Sequence, residues 1–290
     1  MSKHSHRHSR SRARDVVSLI FSFFFAVLLV IICALGALRV GALSKGGVLR
    51  AMDNQFYDYE LNYINEQANY YTLPTGVDPS VLNGVFQKEE LRLDMTALVE
   101  TSFDGGEYVP VTANAKNRLM QNLATYFSSQ KNVPTPEEQQ KISESYSDAI
   151  MDLYTEIIAL PGHDQVGKLS ATAVRYGLIV LAVLVVVVGL MVFFIVRLHS
   201  HVHRALRYLA YATGGAGLML VVIPLLVFIS KPYVGLNLEP QSIHYLCVTI
   251  ISNVLVTLMC AGGVLALLAV LIAAASERRR KQSLHRGHSH

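Results

Sequence analysis

The sequence VVSLIFSFFFAVLLVIICALGAL, residues 16–38, decides the fold of this protein. It is 23 residues long without a charged side chain, which is enough for a helix that crosses a ~30 Å hydrocarbon core. A secretory signal sequence has a similar basic start, but its apolar part is usually about 7–15 residues. We therefore predict an uncleaved first span over residues 16–42, with cleavage after residues 34–37 or near residue 42 as the lesser alternative.

Three further apolar runs predict three further transmembrane helices, over residues 171–197, 207–230 and 245–275. The composition agrees, because hydrophobic residues make up 52% of the chain and charged residues only 16%, where a soluble chain has about 25%. Small residues four apart, such as Gly262 and Ala266 or Thr213 and Gly217, favour closely packed helices. The predicted fold class is an all-α membrane protein with four transmembrane helices and an external α-helical domain inserted between the first and second spans.

Lys and Arg residues concentrate in three segments that four spans place on one side of the membrane. The tail at residues 1–15 and the tail at residues 276–290 carry five each, and the turn at residues 198–206 is flanked by Arg197 and Arg207. Cytosolic segments carry such an excess. We therefore predict a plasma-membrane protein in contact with lipid, with both termini cytosolic and the short loop at residues 231–244 outside. The first tail is expected to be disordered, since it is basic and rich in Ser and His.

Residues 43–170 form an acidic insert that we expect on the outside. It carries 18 of the 21 acidic residues but only 9 of the 25 Lys and Arg residues, a net charge of −9. The cysteines (Cys33, Cys247 and Cys260) all lie elsewhere, so the insert has no disulfide framework and must fold by packing. This absence favours a bacterial membrane over an animal one, and the acidic insert argues against nucleic-acid binding.

Local signals divide the insert into four or five amphipathic helices. The clearest is Thr135-Pro136-Glu137-Glu138, where Thr is the N-cap, Pro takes the first helical position and Glu138 completes a capping box. The pair Asp78-Pro79 marks another start, and residues 104–106 mark an end.

Aromatic residues also follow a helical spacing along residues 46–71. Phe56, Tyr59 and Tyr63, followed by Gln67 and Tyr70, recur every three or four positions and predict one helix face. Because aromatic residues dominate interface hot spots, Phe56, Tyr59 and Tyr63 are a candidate surface for a membrane or envelope protein partner. The alternatives are that they pack the core of the insert or form an aromatic belt at the membrane surface.

Polar residues recur every four positions on the fourth span, namely Thr249, Asn253 and Thr257. We expect this polar face to lie against protein and to form interhelical hydrogen bonds, each worth roughly 0.6 kcal/mol. The sharper alternative is one wall of a polar path for a solute. No Asp, Glu, Lys or Arg occurs in an apolar core, although ion-coupled transport usually needs one.

Histidines cluster in three segments that we predict to be cytosolic: His4/His6/His8, His199/His201/His203 and His285/His288/His290. The H-x-H-x-H spacing suits Zn²⁺, Ni²⁺ or Cu²⁺ only in an extended backbone. No cysteine or carboxylate accompanies it, so we predict no metal site. His163 beside Asp164 is the only histidine of the insert and is expected to cap a helix. We find no catalytic motif and predict neither catalytic residues nor a cofactor.

The order of segments resembles two known four-span layouts. One is that of the permease-like subunits of division and macrolide-type ABC systems, which usually have a longer inner segment to dock the ATPase. The other is the claudin-like layout, whose outer-loop Trp and paired Cys are absent here. The expected function is therefore drawn from the insert: a non-enzymatic sensor, scaffold or accessory subunit that binds a protein or envelope ligand. The alternative is a transporter or permease component that uses the polar face of the fourth span.

Overall fold

The computed structural model describes the backbone of residues 3–106, 108–130, 135–159, 163–198 and 202–287, and the side chains of residues 16–106, 108–130, 135–159, 176–197 and 203–280. Within this part of the chain the regular structure is helical, with no strand, so the predicted all-α class is confirmed. The α-helices are α1 (Lys3–Gly41), α2 (Lys45–Ala51), α3 (Asn54–Thr72), α4 (Lys88–Asp104), α5 (Ala113–Ser129), α6 (Pro136–Ile158), α7 (His163–Leu198), α8 (Val202–Ser230) and α9 (Gln241–Gly287).

Four of these helices are long and apolar enough to cross a membrane, as the sequence predicts. The crossing segments are Val16–Gly41, Tyr176–Arg197, His203–Gly235 and Gln241–Arg280. These are the helices of a multi-pass membrane protein. The prediction of a disordered first tail is wrong for the backbone from Lys3 onward, because α1 begins there. No Gly or Pro interrupts the helix before Gly36, so the helical register of the span continues into the tail.

The chain divides into two compact units, of which one contains the long apolar helices. It consists of Met1–Ala42, Val174–Gly235 and Ile251–His290. A Cβ atom added at Gly217 of α8 would lie 2.8 Å from the Gly262 carbonyl oxygen and 2.8 Å from the Ala266 nitrogen of α9. Only glycine permits so close an approach of two helix backbones. The prediction that these small residues serve helix packing is therefore confirmed.

The second unit consists of Leu43–Ala173 together with Leu236–Ile250. Its apolar core is contributed by α2 to α6 and by the start of α9. The capping box at Thr135 and Glu138 is confirmed, and α6 begins at Pro136 as predicted. The single helix predicted over residues 46–71 is instead two helices, because the Asp53 carboxylate accepts hydrogen bonds from the backbone of Gln55 and Phe56 and so starts α3 anew.

Candidate functional site

The buried face of α3 differs from the face that the aromatic spacing predicts. The buried residues include one at every fourth position, namely Phe56, Glu60, Ile64, Ala68 and Thr72. Phe56 is 0% exposed, so its assignment to a partner surface is wrong and the alternative of core packing holds for it. Tyr59 and Tyr63 are half-buried and keep part of their surface.

Glu60 stands in the middle of this buried stripe and is 0% exposed. Among the described residues, neither of its carboxylate oxygens has a hydrogen-bond partner. Burial raises the pKa of Glu60 above its ordinary value. The buried Ser242 hydroxyl, which lies near Glu60 without a hydrogen bond of normal geometry, lowers that pKa by less than burial raises it. An ionised carboxylate without a partner costs several kcal/mol when it is taken out of water, so this side chain is the most expensive polar group in the stripe.

Glu60 lines a cavity of about 600 Å³ within the second unit. Helix α3 and helix α6 form its walls, and the residues that precede α9 complete it. Two further lining residues with carboxyl groups, Glu156 and Glu239, are exposed, whereas Glu60 is buried. The complete lining is Glu60, Tyr63, Gln67, Leu153, Glu156, Ile157, Ala159, Glu239 and Pro240.

The start of α9 is fastened to α3 by one tyrosine, which explains why Glu239 and Pro240 reach this cavity. The Tyr245 hydroxyl donates to the Asp53 carboxylate over 2.8 Å. The ring of Tyr245 also lies 5.6 Å, centroid to centroid, from that of Tyr59. Asp53 therefore caps α3 with one oxygen and holds the start of α9 with the other.

A second buried carboxylate in the same unit, Asp94 of α4, has a different environment. It accepts hydrogen bonds from the hydroxyl of Tyr108 at 2.6 Å, the hydroxyl of Tyr154 at 2.7 Å and the backbone nitrogen of Val111 at 3.3 Å. Burial, followed by the hydrogen bond to Asp94 and then by the Asp94 charge, raises the pKa of both tyrosines, so both hydroxyls stay protonated and act as donors. Asp94 thus joins α4, α6 and the segment before α5, and it is a structural group.

A smaller cavity of about 430 Å³ lies beside the start of α3, lined by Leu49, Met52, Asp53, Asn54, Tyr57, Arg92 and Thr96. Its charged groups already have partners. Asp53 caps α3 and accepts from Tyr245, and the Arg92 guanidinium lies 3.8 Å from the Glu89 carboxylate. The cavity at Glu60 is therefore the better candidate for a ligand site.

The predicted polar face of the fourth span lies on α9, but it is not buried against another described helix. Asn253 and Thr257 are exposed and Thr249 is half-buried. The Thr257 hydroxyl donates to the Asn253 carbonyl of its own helix over 2.8 Å, so the expected interhelical hydrogen bond is wrong for Thr257. A serine or threonine hydroxyl can satisfy itself in this way without a neighbouring helix.

The histidine predictions fall largely outside the described part of the chain. His199, His201, His288 and His290 are outside the described residues, and the side chains of His4, His6, His8, His163 and His285 are not among those described. Where side chains are described, no group of three His, Cys, Asp or Glu residues could hold a metal ion.

Sequence reasoning missed Glu60, although one signal was available. Glu60 lies at one position of an i, i+4 series whose other members, such as Phe56 and Ile64, are suited to burial. A charged residue in such a series is unusual, because buried charged residues are rare unless they are paired. No family model matches the chain, and no curated protein or solved structure matches it significantly.

Proposed function

We propose that this protein is a non-enzymatic multi-pass protein of a bacterial plasma membrane that binds a ligand through its second unit. We call this unit, Leu43–Ala173 with Leu236–Ile250, the inserted domain. Sensor, scaffold and accessory subunit are the roles that fit such a protein. The observation that carries the proposal is the cavity at Glu60, which opens at the surface of a domain with its own core. Its volume of about 600 Å³ falls within the range of small-molecule sites.

The distribution of charge supports an outer position for the inserted domain and an inner position for both termini. Both tails and the turn between the second and third spans are basic, whereas residues 43–170 carry a net charge of −9. Basic segments are retained on the cytosolic side. A ligand would then reach the cavity from outside the cell.

The alternative role as a transporter component has weaker support. A polar path would need the Asn253 and Thr257 side chains to face a space enclosed by helices, but both are exposed on α9. A surface-accessible cavity in the inserted domain favours recognition of a ligand over its passage through the membrane.

Topology can be tested by cysteine labelling in intact cells, in a chain whose three native cysteines are replaced by alanine. Glu100→Cys on α4 should react with a membrane-impermeant maleimide before lysis, whereas Glu277→Cys on α9 should react only after it. Both residues are exposed acids, which makes them a matched pair. Labelling of Glu100→Cys only after lysis would overturn the outer position of the domain.

Ligand binding can be tested by native mass spectrometry of the full chain purified from its own membranes. We expect a small-molecule adduct on the wild type and none on Leu153→Trp, because the indole would fill the cavity. Leu93→Trp is the control, since Leu93 is 68% exposed and lies away from the cavity lining. Identical spectra for all three proteins would count against a ligand-binding domain.

A further inference from the structure

We propose that the cavity at Glu60 binds a small organic ammonium ion whose positive charge pairs with the Glu60 carboxylate. The apolar part of the ligand would lie against Leu153 and Ile157 of α6. This inference rests on the proposed ligand-binding function and adds the chemical class of the ligand.

The charge of the lining is the first argument for a cation. Glu60, Glu156 and Glu239 contribute three carboxyl groups, and no Lys or Arg belongs to the lining. A cleft whose charges have one sign concentrates ions of the opposite sign. The exposed Glu156 and Glu239 carboxylates attract a cation and repel an anion. Glu60 adds a third negative charge when it releases its proton to solvent as the cation binds.

The state of Glu60 is the second argument. It is 0% exposed, and its two oxygens have no hydrogen-bond partner among the described residues. Elsewhere in this domain a buried carboxylate has donors, as Asp94 does. A bound ammonium group would supply up to three N–H donors to Glu60 at once, and charge-assisted hydrogen bonds are about twice as strong as neutral ones.

The shape and remaining chemistry of the cavity distinguish an organic ion from a metal ion. No group of three His, Cys, Asp or Glu side chains in the described part of the chain could hold a metal. The volume of about 600 Å³ suits a molecule rather than a single ion. Leu153, Ile157 and Pro240 offer apolar contact, and the half-buried Tyr63 ring offers a face for a cation.

The test uses the full chain in an uncharged detergent and isothermal titration calorimetry. The probes are tetramethylammonium, spermidine and 2-phenylethylamine, and 2-phenylethanol is the uncharged analogue of the last. We expect at least one amine to bind about 10- to 100-fold more tightly than the alcohol. Glu60→Gln, which keeps the shape and removes the charge, should abolish that preference.

Two further variants keep the test decisive. Glu66→Gln removes an exposed carboxylate from the same helix and should leave amine binding unchanged. Leu153→Trp keeps Glu60 but fills the cavity, so it should abolish binding of the amine. Near-ultraviolet circular dichroism checks that the two glutamine variants stay folded, since tyrosine dominates the signal of a chain without Trp. Urea unfolding followed by far-ultraviolet circular dichroism checks the Leu153→Trp variant, whose new indole changes the near-ultraviolet signal.

The outcomes separate this inference from the proposed function. The ammonium site is overturned, and a ligand-binding domain still stands, if no amine binds the wild type more tightly than 2-phenylethanol does. Undiminished amine binding by Glu60→Gln overturns it as well. Failure of all three amines to bind the wild type also overturns it. The proposed ligand-binding function is tested separately, and it fails if native mass spectrometry finds no adduct on the wild type that Leu153→Trp loses.

Discussion

The inserted domain contains two buried carboxylates, Asp94 and Glu60, whose surroundings are opposite. Asp94 is 4% exposed and accepts three hydrogen bonds, two of them from tyrosine hydroxyls. Glu60 is 0% exposed and, among the described residues, accepts none. Two similarly buried carboxylates therefore have different roles in one domain. The first carboxylate holds three segments together, and the second faces a cavity.

The difference comes from the donors that neighbouring elements supply. Around Asp94, α6 contributes Tyr154 and the segment before α5 contributes Tyr108, so each carboxylate oxygen receives a hydroxyl. Around Glu60, which lines the cavity, no described side chain donates a hydrogen bond, and the buried Ser242 hydroxyl near it makes none of normal geometry. A satisfied carboxylate stabilises the fold, whereas an unsatisfied one is retained at a cost to stability.

The largest expected effect is that of Asp94→Ala. This change leaves the buried Tyr154 hydroxyl without its acceptor and also deprives Tyr108, so we expect the free energy of unfolding to fall by about 3–5 kcal/mol. The measurement is urea unfolding of the full chain in detergent, followed by near-ultraviolet circular dichroism. Nine of the 14 tyrosines lie between residues 43 and 170, so the signal reports mainly on the inserted domain.

The matched control for this prediction is Asp152→Ala. Asp152 is an exposed acid on α6, and its removal should change the free energy of unfolding by less than about 0.5 kcal/mol. If Asp94→Ala lowers the free energy of unfolding by less than about 1 kcal/mol, the tyrosine hydroxyls find other acceptors. Asp94 would then not be a stabilising group, and it would no longer differ from Glu60 in this respect.

Glu60→Leu should change the free energy of unfolding in the opposite direction and by less than Asp94→Ala does. It replaces a buried carboxyl group that has no partner with an apolar side chain, so we expect the free energy of unfolding to rise by about 1–3 kcal/mol. Glu66→Leu, at an exposed position on the same helix, should stay within about 0.5 kcal/mol of the wild type. If Glu60→Leu destabilises the domain as strongly as Asp94→Ala does, both carboxylates stabilise the fold and the distinction between them is wrong.

Local sequence signals predicted well those features that depend on a few adjacent residues. The capping box at Thr135 needs only four consecutive positions, and it is present with both of its hydrogen bonds. The apolar spans need only a continuous run of hydrophobic residues, and all four are helices. Such features follow from backbone chemistry and solvent transfer, which the sequence shows directly.

The buried face of α3 could not be read in the same way. Aromatic spacing predicted a face through Tyr59 and Tyr63, but the buried stripe runs through Glu60 and Ala68, which neither hydrophobicity nor size singles out. Contacts with segments that are distant in the sequence decide which face of α3 is buried. Tyr245 binds Asp53 across 192 positions of the sequence and brings the residues before α9 to the same helix. Periodicity along α3 allows either face, and only these long-range contacts choose between the two.

The pH dependence of stability offers a finer test of the same contrast. The folded-state pKa of Glu60 is raised above its ordinary value of 4.5 by burial, so the folded protein holds this proton where the unfolded chain has released it. The stability linked to that proton is complete below about pH 4.5 and is lost as the pH rises through the folded-state pKa. Glu60→Gln has no such proton, so its advantage over the wild type should grow from about pH 4.5 upward and then level off.

The other titratable groups of the cavity, Tyr63, Glu156 and Glu239, are present in both proteins, and so is Glu90, whose pKa is lowered by Arg118. The stability that Glu90 contributes is lost as the pH falls, in the wild type and the variant alike, so the difference between the two isolates Glu60. Urea unfolding of both proteins between about pH 4 and about pH 8 supplies the comparison. If the free energies of unfolding of the two proteins change in parallel with pH, the pKa of Glu60 is the same in the folded and unfolded chains. The ionised form of Glu60 would then need a hydrogen-bond donor in the folded domain, as Asp94 has in the tyrosine hydroxyls. A widening gap would show instead that folding raises the pKa of Glu60, as expected of a buried carboxyl group whose ionised form is less well satisfied in the folded domain than that of Asp94.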